Sequence, residues 1–225
     1  PFFLINKLYG SASPSVKLNE FYRYPFESVF DEKIENPTFY LSYPAQYSSK
    51  SWWHVVGNQI SRVYNNAGEI TYSFPMNDTL FVYDLEGYLQ KKACAASRYF
   101  ESFPPKPISQ EEEDNPEKLI AFVIQVERYI SIIYDPFLDR YYRIVKHRQP
   151  LESSSGNKNN AEDAPWSIIV LDAHLNILHE QKFSPGLYDF NDIIVTKEGV
   201  LVRNNYYHSK QKRDVIEYTL LKIVQ

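Results

Sequence analysis

Apolar and polar residues alternate with a period of two along many short stretches of this chain. In one such stretch, Ile70, Tyr72 and Phe74 fall on one side of an extended segment, and Thr71 and Ser73 fall on the other. This alternation is typical of a strand with one buried face. The high content of Tyr and Phe, 19 and 14 residues, also favours sheet structure. The pattern therefore predicts an all-β protein.

Two other stretches, 80–83 and 168–171, are apolar throughout, as expected of strands that are covered on both faces. Together the strands form units of about four, separated by turn residues, and the units start near residues 60, 130 and 193. Such units are the blade pattern of a β-propeller. We therefore predict a β-propeller with blades of about four antiparallel strands, an incomplete set of a six- or seven-bladed propeller.

The units are longer than the ~40–50 residues usual for a blade. Two polar insertions, 101–117 and 148–165, account for the excess. Because neither contains apolar anchors, both are predicted to be mobile surface loops.

One β-propeller-like domain is predicted over residues 1–225. Residues 1–55 form a partial blade or an irregular lead-in, with strand pieces near 2–9, 21–24 and 38–43, and residues 56–225 form about three blade-like units.

The segment before residue 129 allows a second interpretation. Its apolar residues also fit a helical stripe, so a short helix over 116–128 is an alternative to a strand. From Tyr129 onwards, the β-branched residues favour a strand.

Charge and composition exclude several classes of protein. The formal net charge is −4 and the basic residues are dispersed, whereas nucleic-acid-binding proteins usually carry a basic patch. No apolar run reaches the ~18 residues of a membrane span. The one cysteine, Cys94, cannot form an intrachain disulfide, and its small apolar neighbours predict a buried thiol. The chain starts at Pro1 without Met, so we expect a processed or truncated product that has lost a signal or a lipid anchor from its N-terminus.

No catalytic motif, phosphate-binding loop or metal-ligand spacing is present. The sequence therefore predicts no catalytic residue, no metal site and no cofactor. Five aspartates lie at predicted strand ends, where such residues usually cap turns through their own backbone. They are Asp84, Asp135, Asp139, Asp172 and Asp192.

Three clusters combine aromatic rings with polar donors, a combination that suits glycan or peptide surfaces. The alternative is packing between blades, with polar tips at the rim. The predicted ligand-binding residues are Trp52, Trp53 and His54 in the first cluster, Tyr141, Tyr142 and Arg143 in the second, and Arg203 and Asn204 in the third.

Three segments carry a resemblance to a known family. They are IIYDPFLDRYYR at 132–143, ITYSFP at 70–75 with Asp78-Thr79-Leu80, and IIVLD at 168–172 before the turn Lys197-Glu198-Gly199. Over residues 55–225 the chain resembles propeller-like proteins of unknown function, found as exported lipoproteins in gut-commensal Gram-negative bacteria. The resemblance implies a six-bladed-propeller-like fold and an extracytoplasmic location, in the periplasm or at the outer membrane. It brings no activity and no catalytic residues.

Two functions are compatible with these observations. The first is a non-enzymatic extracytoplasmic binding or scaffold module for a glycan, a peptide or an envelope protein, since no catalytic constellation is visible. The alternative is a polysaccharide-acting hydrolase or lyase with a site in the propeller channel, which rests on analogy of fold.

Overall fold

A computed structural model describes residues 3–6, 22–23, 25–30, 37–47, 53–205 and 215–222. These residues form four antiparallel sheets that follow one another along the chain. The predicted all-β class is therefore confirmed.

Sheet 1 has three strands, β1 (Phe3–Asn6), β2 (Glu27–Phe30) and β3 (Pro37–Leu41). Sheet 2 has four strands, β4 (Ser61–Tyr64), β5 (Ile70–Ser73), β6 (Thr79–Tyr83) and β7 (Leu89–Cys94). Sheet 3 has four strands, β8 (Arg128–Asp135), β9 (Arg140–Lys146), β10 (Trp166–Leu171) and β11 (Ile177–Phe183). Sheet 4 has three described strands, β12 (Tyr188–Thr196), β13 (Gly199–Asn204) and β14 (Tyr218–Leu221). The helices are α1 (Gln110–Glu113), α2 (Pro116–Gln125) and the 3₁₀ helices His54–Asn58 and Ala161–Asp163.

The sheets pack face to face in chain order, with a separate apolar core between each neighbouring pair. Phe26 and Phe74 belong to the core between sheets 1 and 2. Val82 and Val145 belong to the core between sheets 2 and 3, and Ile168 and the residues around it form the core between sheets 3 and 4. Sheets 2 and 3 are therefore covered on both faces.

This double coverage changes the interpretation of the alternating strand at 70–74. Thr71 and Ser73 were expected on a wetter face, yet their exposed fractions are 0% and 2%. The reason is that sheet 3 covers the face that carries the smaller side chains. Both faces of this strand are buried, and the alternation reflects the different sheets that the two faces contact.

The first strands of sheets 2, 3 and 4 lie next to one another, since β8 contacts both β4 and β12. The fourth strands, β7 and β11, lie farthest from this contact and are largely exposed. Sheets 2, 3 and 4 thus run outward from a shared inner line of strands.

Five tight connections lie together at one end of the sheets, which we call the turn end. They are residues 65–69, 84–88, 136–139, 172–176 and 197–198. The long connections, 95–127, 147–165 and 205–217, join strands at the opposite end, which we call the loop end. Two short connections, 74–78 and 184–187, also lie at the loop end. Consecutive strands in an antiparallel meander reverse direction, so successive connections alternate between the two ends.

Three of the tight connections share one geometry, in which an Asn or Asp side chain accepts backbone N–H bonds from its own turn. The side chains of Asn65, Asp84 and Asp172 all do so. Asp135 also accepts from the N–H groups of Phe137 and Leu138. The turn-capping prediction is therefore correct for Asp84, Asp135 and Asp172.

Several local predictions are corrected. Tyr22 and Arg23 lie in a helical turn, and the second strand begins at Glu27 instead of near residue 21. The helical alternative before residue 129 is correct, because α2 occupies Pro116–Gln125, with Asn115 as its N-cap. Cys94 is exposed, because it ends the outer strand β7.

The two insertions have packed anchors that the polar sequence concealed. In the first, Ile108 is buried. In the second, Gln149 and Ala164 are buried, and Gln149 donates a hydrogen bond to the carbonyl of Asn160. The second insertion therefore lies beside sheet 4 in a defined conformation.

Candidate functional site

A polar cleft of about 360 Å³ lies at the loop end, between the second insertion and sheet 4. We call it the loop-end cleft. It is lined by Asn160, Ala161, Glu162, Asp163, Asp189, Arg203 and Asn205. The 3₁₀ helix Ala161–Asp163 forms one wall, and β12 and β13 form the other.

An irregularity in strand pairing builds the sheet 4 wall. Asp189 pairs with Arg203, and the regular register resumes only at Ile193, so the intervening residues bulge out of β12. A bulge redirects side chains. Here it turns Phe190 into the core, 3% exposed, and brings Asp192 to the same guanidinium as Asp189.

Arg203 is consequently held between two carboxylates. Its Nη2 donates to Asp189 Oδ2 at 2.7 Å, and its Nη1 donates to Asp192 Oδ2 at 3.2 Å. The Tyr218 hydroxyl lies 3.1 Å from Asp192 Oδ2. Partial loss of hydration and the bond to Asp192 raise the pKa of Tyr218 above its ordinary value. Asp192 was expected to cap a turn, and this expectation is wrong, because the bulge gives its carboxylate a cationic partner.

A hydrogen bond joins the opposite wall to Asn205, the residue that follows β13. Asn205 Nδ2 donates to Asp163 Oδ1 at 2.8 Å, across the mouth of the cleft. Asn160 Nδ2 donates to Asp163 Oδ2 at 3.3 Å. The cleft therefore presents amides, carboxylates and one guanidinium, which can both donate to and accept from hydroxyl groups.

A larger groove of about 580 Å³ lies beside the outer edge of β14 and is mainly apolar, with Ile168, Phe183 and Leu220 among its walls. It lies where sheets 2 and 3 have a fourth strand and sheet 4 has none among the described residues. The polar cleft is the better candidate for a ligand site, because its lining offers several hydrogen-bonding side chains.

The first predicted cluster is only partly described. Trp52 lies outside the described residues, as does the side chain of His54, which begins the 3₁₀ helix His54–Asn58. Trp53 is 2% exposed and donates its indole N–H to the carbonyl of Pro105 at 2.8 Å. Its ring packs against Tyr47, which anchors the 53–58 segment to the first core.

The second predicted cluster lies inside the protein. Tyr141, Tyr142 and Arg143 are consecutive on β9, and their exposed fractions are 2%, 0% and 0%. The Tyr141 hydroxyl accepts a bond from Asn65 Nδ2 at 3.0 Å, and the Tyr142 hydroxyl donates to Asp135 Oδ2 at 2.7 Å. Their polar groups thus have partners within the fold, and their ligand-binding role stays a prediction.

The third predicted cluster reaches the cleft with one of its two residues. Arg203 lines the cleft, whereas the side chain of Asn204, the next residue on β13, accepts a bond from Thr219 Oγ1 at 2.7 Å. Consecutive strand residues point to opposite faces, which separates the two. The described members of the three clusters therefore do not lie in one site.

Sequence reasoning missed Asn160, Glu162, Asp163 and Asp189. Their only signal is local polarity, in the second insertion and in the Asp-rich run at 189–192. Neither segment contains a spacing that indicates contact with Arg203.

A buried polar network in sheet 3 joins Ser167, Glu180 and His147, but it does not have the geometry of a nucleophilic triad. Ser167 Oγ donates to Glu180 Oε1 at 2.6 Å and lies 2.9 Å from His147 Nε2. In a triad the histidine lies between the nucleophile and the acid, whereas here the serine occupies the middle. All three residues are at most 3% exposed, so the network joins strands rather than meeting a substrate.

No three His, Cys, Asp or Glu side chains within the described ranges converge in a way that could hold a metal ion. In the same ranges, no helix is long and apolar enough to cross a membrane.

A family model described as a domain of unknown function, DUF4221, matches residues 20–182. The match takes in more than half of the chain, so the chain belongs to the DUF4221 family. This agrees with the expectation of a family of unknown function.

The chain is also similar to the crystal structure of a DUF4221 family member from Bacteroides vulgatus ATCC 8482, with a TM-score of 0.70 and 20% sequence identity. The similarity covers 98% of this chain and 61% of the other, so the chain spans about three fifths of that relative's length. At this identity the likeness shows the fold alone. Among curated proteins, none matches the chain.

Proposed function

We propose that this protein is an extracytoplasmic binding module of the β-propeller type, which holds a glycan in the loop-end cleft. The observation that carries the proposal is the convergence of Asn160, Asp163, Asp189, Arg203 and Asn205 on one concave, polar surface. Amide, carboxylate and guanidinium groups can each engage two neighbouring hydroxyls of a sugar ring, as donors or as acceptors.

Two features support the propeller type. Sheets 2 and 3 are four-stranded meanders, and the first strands of sheets 2, 3 and 4 adjoin one another. This arrangement is expected of blades arranged around an axis. The extracytoplasmic location rests on the resemblance to exported lipoproteins, and cell fractionation with an antibody against the protein tests it.

The charge of the cleft selects among ligands. Glu162, Asp163 and Asp189 outnumber Arg203, whose charge is already shared between Asp189 and Asp192. Anionic polysaccharides would meet net repulsion. Neutral glycans are therefore the expected ligands.

The test is binding of the purified protein to an array of neutral and acidic polysaccharides, followed by calorimetry on any hit. The double variant Asn160→Ala/Asn205→Ala should weaken binding at least tenfold, since it removes two donors from the cleft. Asn66→Ala, at the opposite end, is the matched control and should bind as the wild type does. Absence of binding to every neutral glycan would overturn the proposal.

The same samples separate binding from catalysis. A glycosidase needs two carboxyl groups that flank one bond, and here Asp189 pairs with Arg203 while Asp163 pairs with Asn205. We expect bound glycan to be recovered intact. Release of reducing ends, or of unsaturated products, would replace the binding function with that of a hydrolase or a lyase.

A further inference from the structure

Exposed apolar side chains gather at the turn end, opposite the loop-end cleft. Fourteen large apolar residues of the described ranges are exposed, and eight of these lie in the tight connections of sheets 2 and 3 or within two residues of them. The most exposed of the eight are Tyr88 at 65%, Leu178 at 51% and Phe137 at 49%. A soluble protein scatters such residues singly, so their concentration at one end requires an explanation.

Contacts between sheets show that these connections lie side by side. Asn65 of sheet 2 donates to the Tyr141 hydroxyl of sheet 3 at 3.0 Å, and the ammonium of Lys91 donates to the carbonyl of His174. Lys197 of sheet 4 lies 5.9 Å from the ring centre of Phe137. The tight connections of the three sheets therefore form one rim at the turn end, and its exposed apolar tips come from sheets 2 and 3.

The rim is also acidic. The five tight connections contain six carboxylates and one ammonium group, that of Lys197, a formal charge of −5. Glu86 and Glu198 are among the exposed carboxylates. Acidic surfaces repel the anionic headgroups that attract peripheral proteins to membranes, whereas they attract a basic protein and speed its association.

We propose that the turn end is a docking surface for a protein partner whose contact face is basic and bears apolar sockets. Such a partner would receive the tips of Tyr88, Leu138 and Leu178, while its cations face Glu86 and Glu198. Bound partner and bound glycan would occupy opposite ends of the sheets, so this proposal does not depend on the proposed function.

The test uses a fluorescent peptide of alternating lysine and leucine as a probe of this surface chemistry, with a glutamate–leucine peptide as the charge control. The wild type should bind the basic peptide, and raising the salt concentration should weaken binding. Tyr88→Ser/Leu138→Ser/Leu178→Ser should weaken it at least tenfold. Glu86→Gln/Glu198→Gln should weaken it about threefold and reduce the salt dependence.

The matched control is Ile120→Ser/Leu187→Ser, which removes two exposed apolar residues away from the turn end, 54% and 52% exposed. It should bind the peptide as the wild type does. Because all the substituted side chains are exposed, every variant should keep the wild-type melting temperature.

Three outcomes overturn the proposal. Equal loss in the control variant would mean that the peptide binds without regard to the turn end. Stronger binding to phosphatidylcholine vesicles than to the peptide, lost in the triple variant, would assign the rim to a membrane. Self-association in sedimentation experiments, lost in the triple variant, would assign it to a second copy of this chain.

Discussion

The guanidinium carbon of Arg143 lies 3.2 Å from the centre of the Tyr129 ring, inside the interface between sheets 2 and 3. The same side chain donates to Ser73 Oγ at 3.0 Å and to the carbonyls of Asn77 and Ala95 at 2.6 and 2.9 Å. Desolvation lowers the pKa of Arg143 to about 10, but the bonds and the ring face stabilise the charged form. One residue of β9 thus satisfies acceptors on three segments of the neighbouring sheet.

Replacing Arg143 by Met should destabilise the protein by about 3 kcal/mol or more, because each buried acceptor left without a donor costs ~1–3 kcal/mol. Urea unfolding followed by fluorescence measures the change. Arg148→Met is the control, since Arg148 is exposed, and it should stay within ~0.5 kcal/mol of the wild type. Equal stability of the two variants would contradict the structural role of Arg143.

Lys146 should make stability depend on pH in the alkaline range. Burial, together with the nearby charge of Arg128, lowers its pKa from 10.5 to about 7. Between these two pKa values the unfolded chain binds more protons than the folded one, so stability rises with pH. The expected slope is at most ~1.4 kcal/mol per pH unit.

The measurement is the free energy of unfolding in urea at several pH values between 7 and 9. Lys146→Met removes the titrating group and should flatten the slope. It should also lower the overall stability, because the Lys146 amino group donates to the carbonyls of Ile124 and Val126. A variant with the wild-type slope would show that Lys146 does not titrate in this range.

His147 should contribute to acid sensitivity. Burial and the charges of Lys182 and Lys146 lower its pKa from 6.5 to about 4. As the pH falls from 6.5 towards 4, the unfolded chain takes up a proton that the folded chain does not, so stability is lost. His147→Gln keeps a side-chain donor near Ser167 and cannot titrate, so it should lose less stability than the wild type over this interval. Parallel acid-unfolding curves for the two proteins would rule out this role.

Leu175 occupies a turn position that glycine fills in two related turns. Its φ is 62°, and Gly68 and Gly87 have φ values of 78° and 87° at the corresponding positions after Asn65 and Asp84. Leu175 is nevertheless 3% exposed and belongs to the core between sheets 2 and 3. Its burial offsets a left-handed conformation that costs an L-residue ~1–2 kcal/mol.

Leu175→Ala should therefore lose ~2–5 kcal/mol, because it removes the buried side chain and keeps the strained conformation. Leu175→Gly should be the more stable of the two variants. This order is the reverse of the usual one, in which an alanine variant is more stable than a glycine variant. Thermal or urea unfolding of both variants decides the order. A less stable glycine variant would mean that the conformation is not strained.

Local sequence patterns were sufficient for most of the strands and for most of the turns. Ile70–Ser73 was predicted within a residue of its observed bounds, and the predicted buried stretch 168–171 lies within the strand Trp166–Leu171. The caps at Asp84 and Asp172 were predicted from their positions alone. These features depend on φ/ψ preferences and on side-chain alternation, which neighbouring residues set among themselves. The all-β class followed from them directly.

Tertiary packing decided which residues are buried and which meet at the cleft. Tyr141 and Arg143 look like surface residues in sequence, but a second sheet covers the face on which they stand. Asp163 and Arg203 come together only because a folded insertion and a bulge in β12 converge on the end of β13. These outcomes arise from contacts between segments far apart in the chain, and local alternation carries no information about which segments will meet.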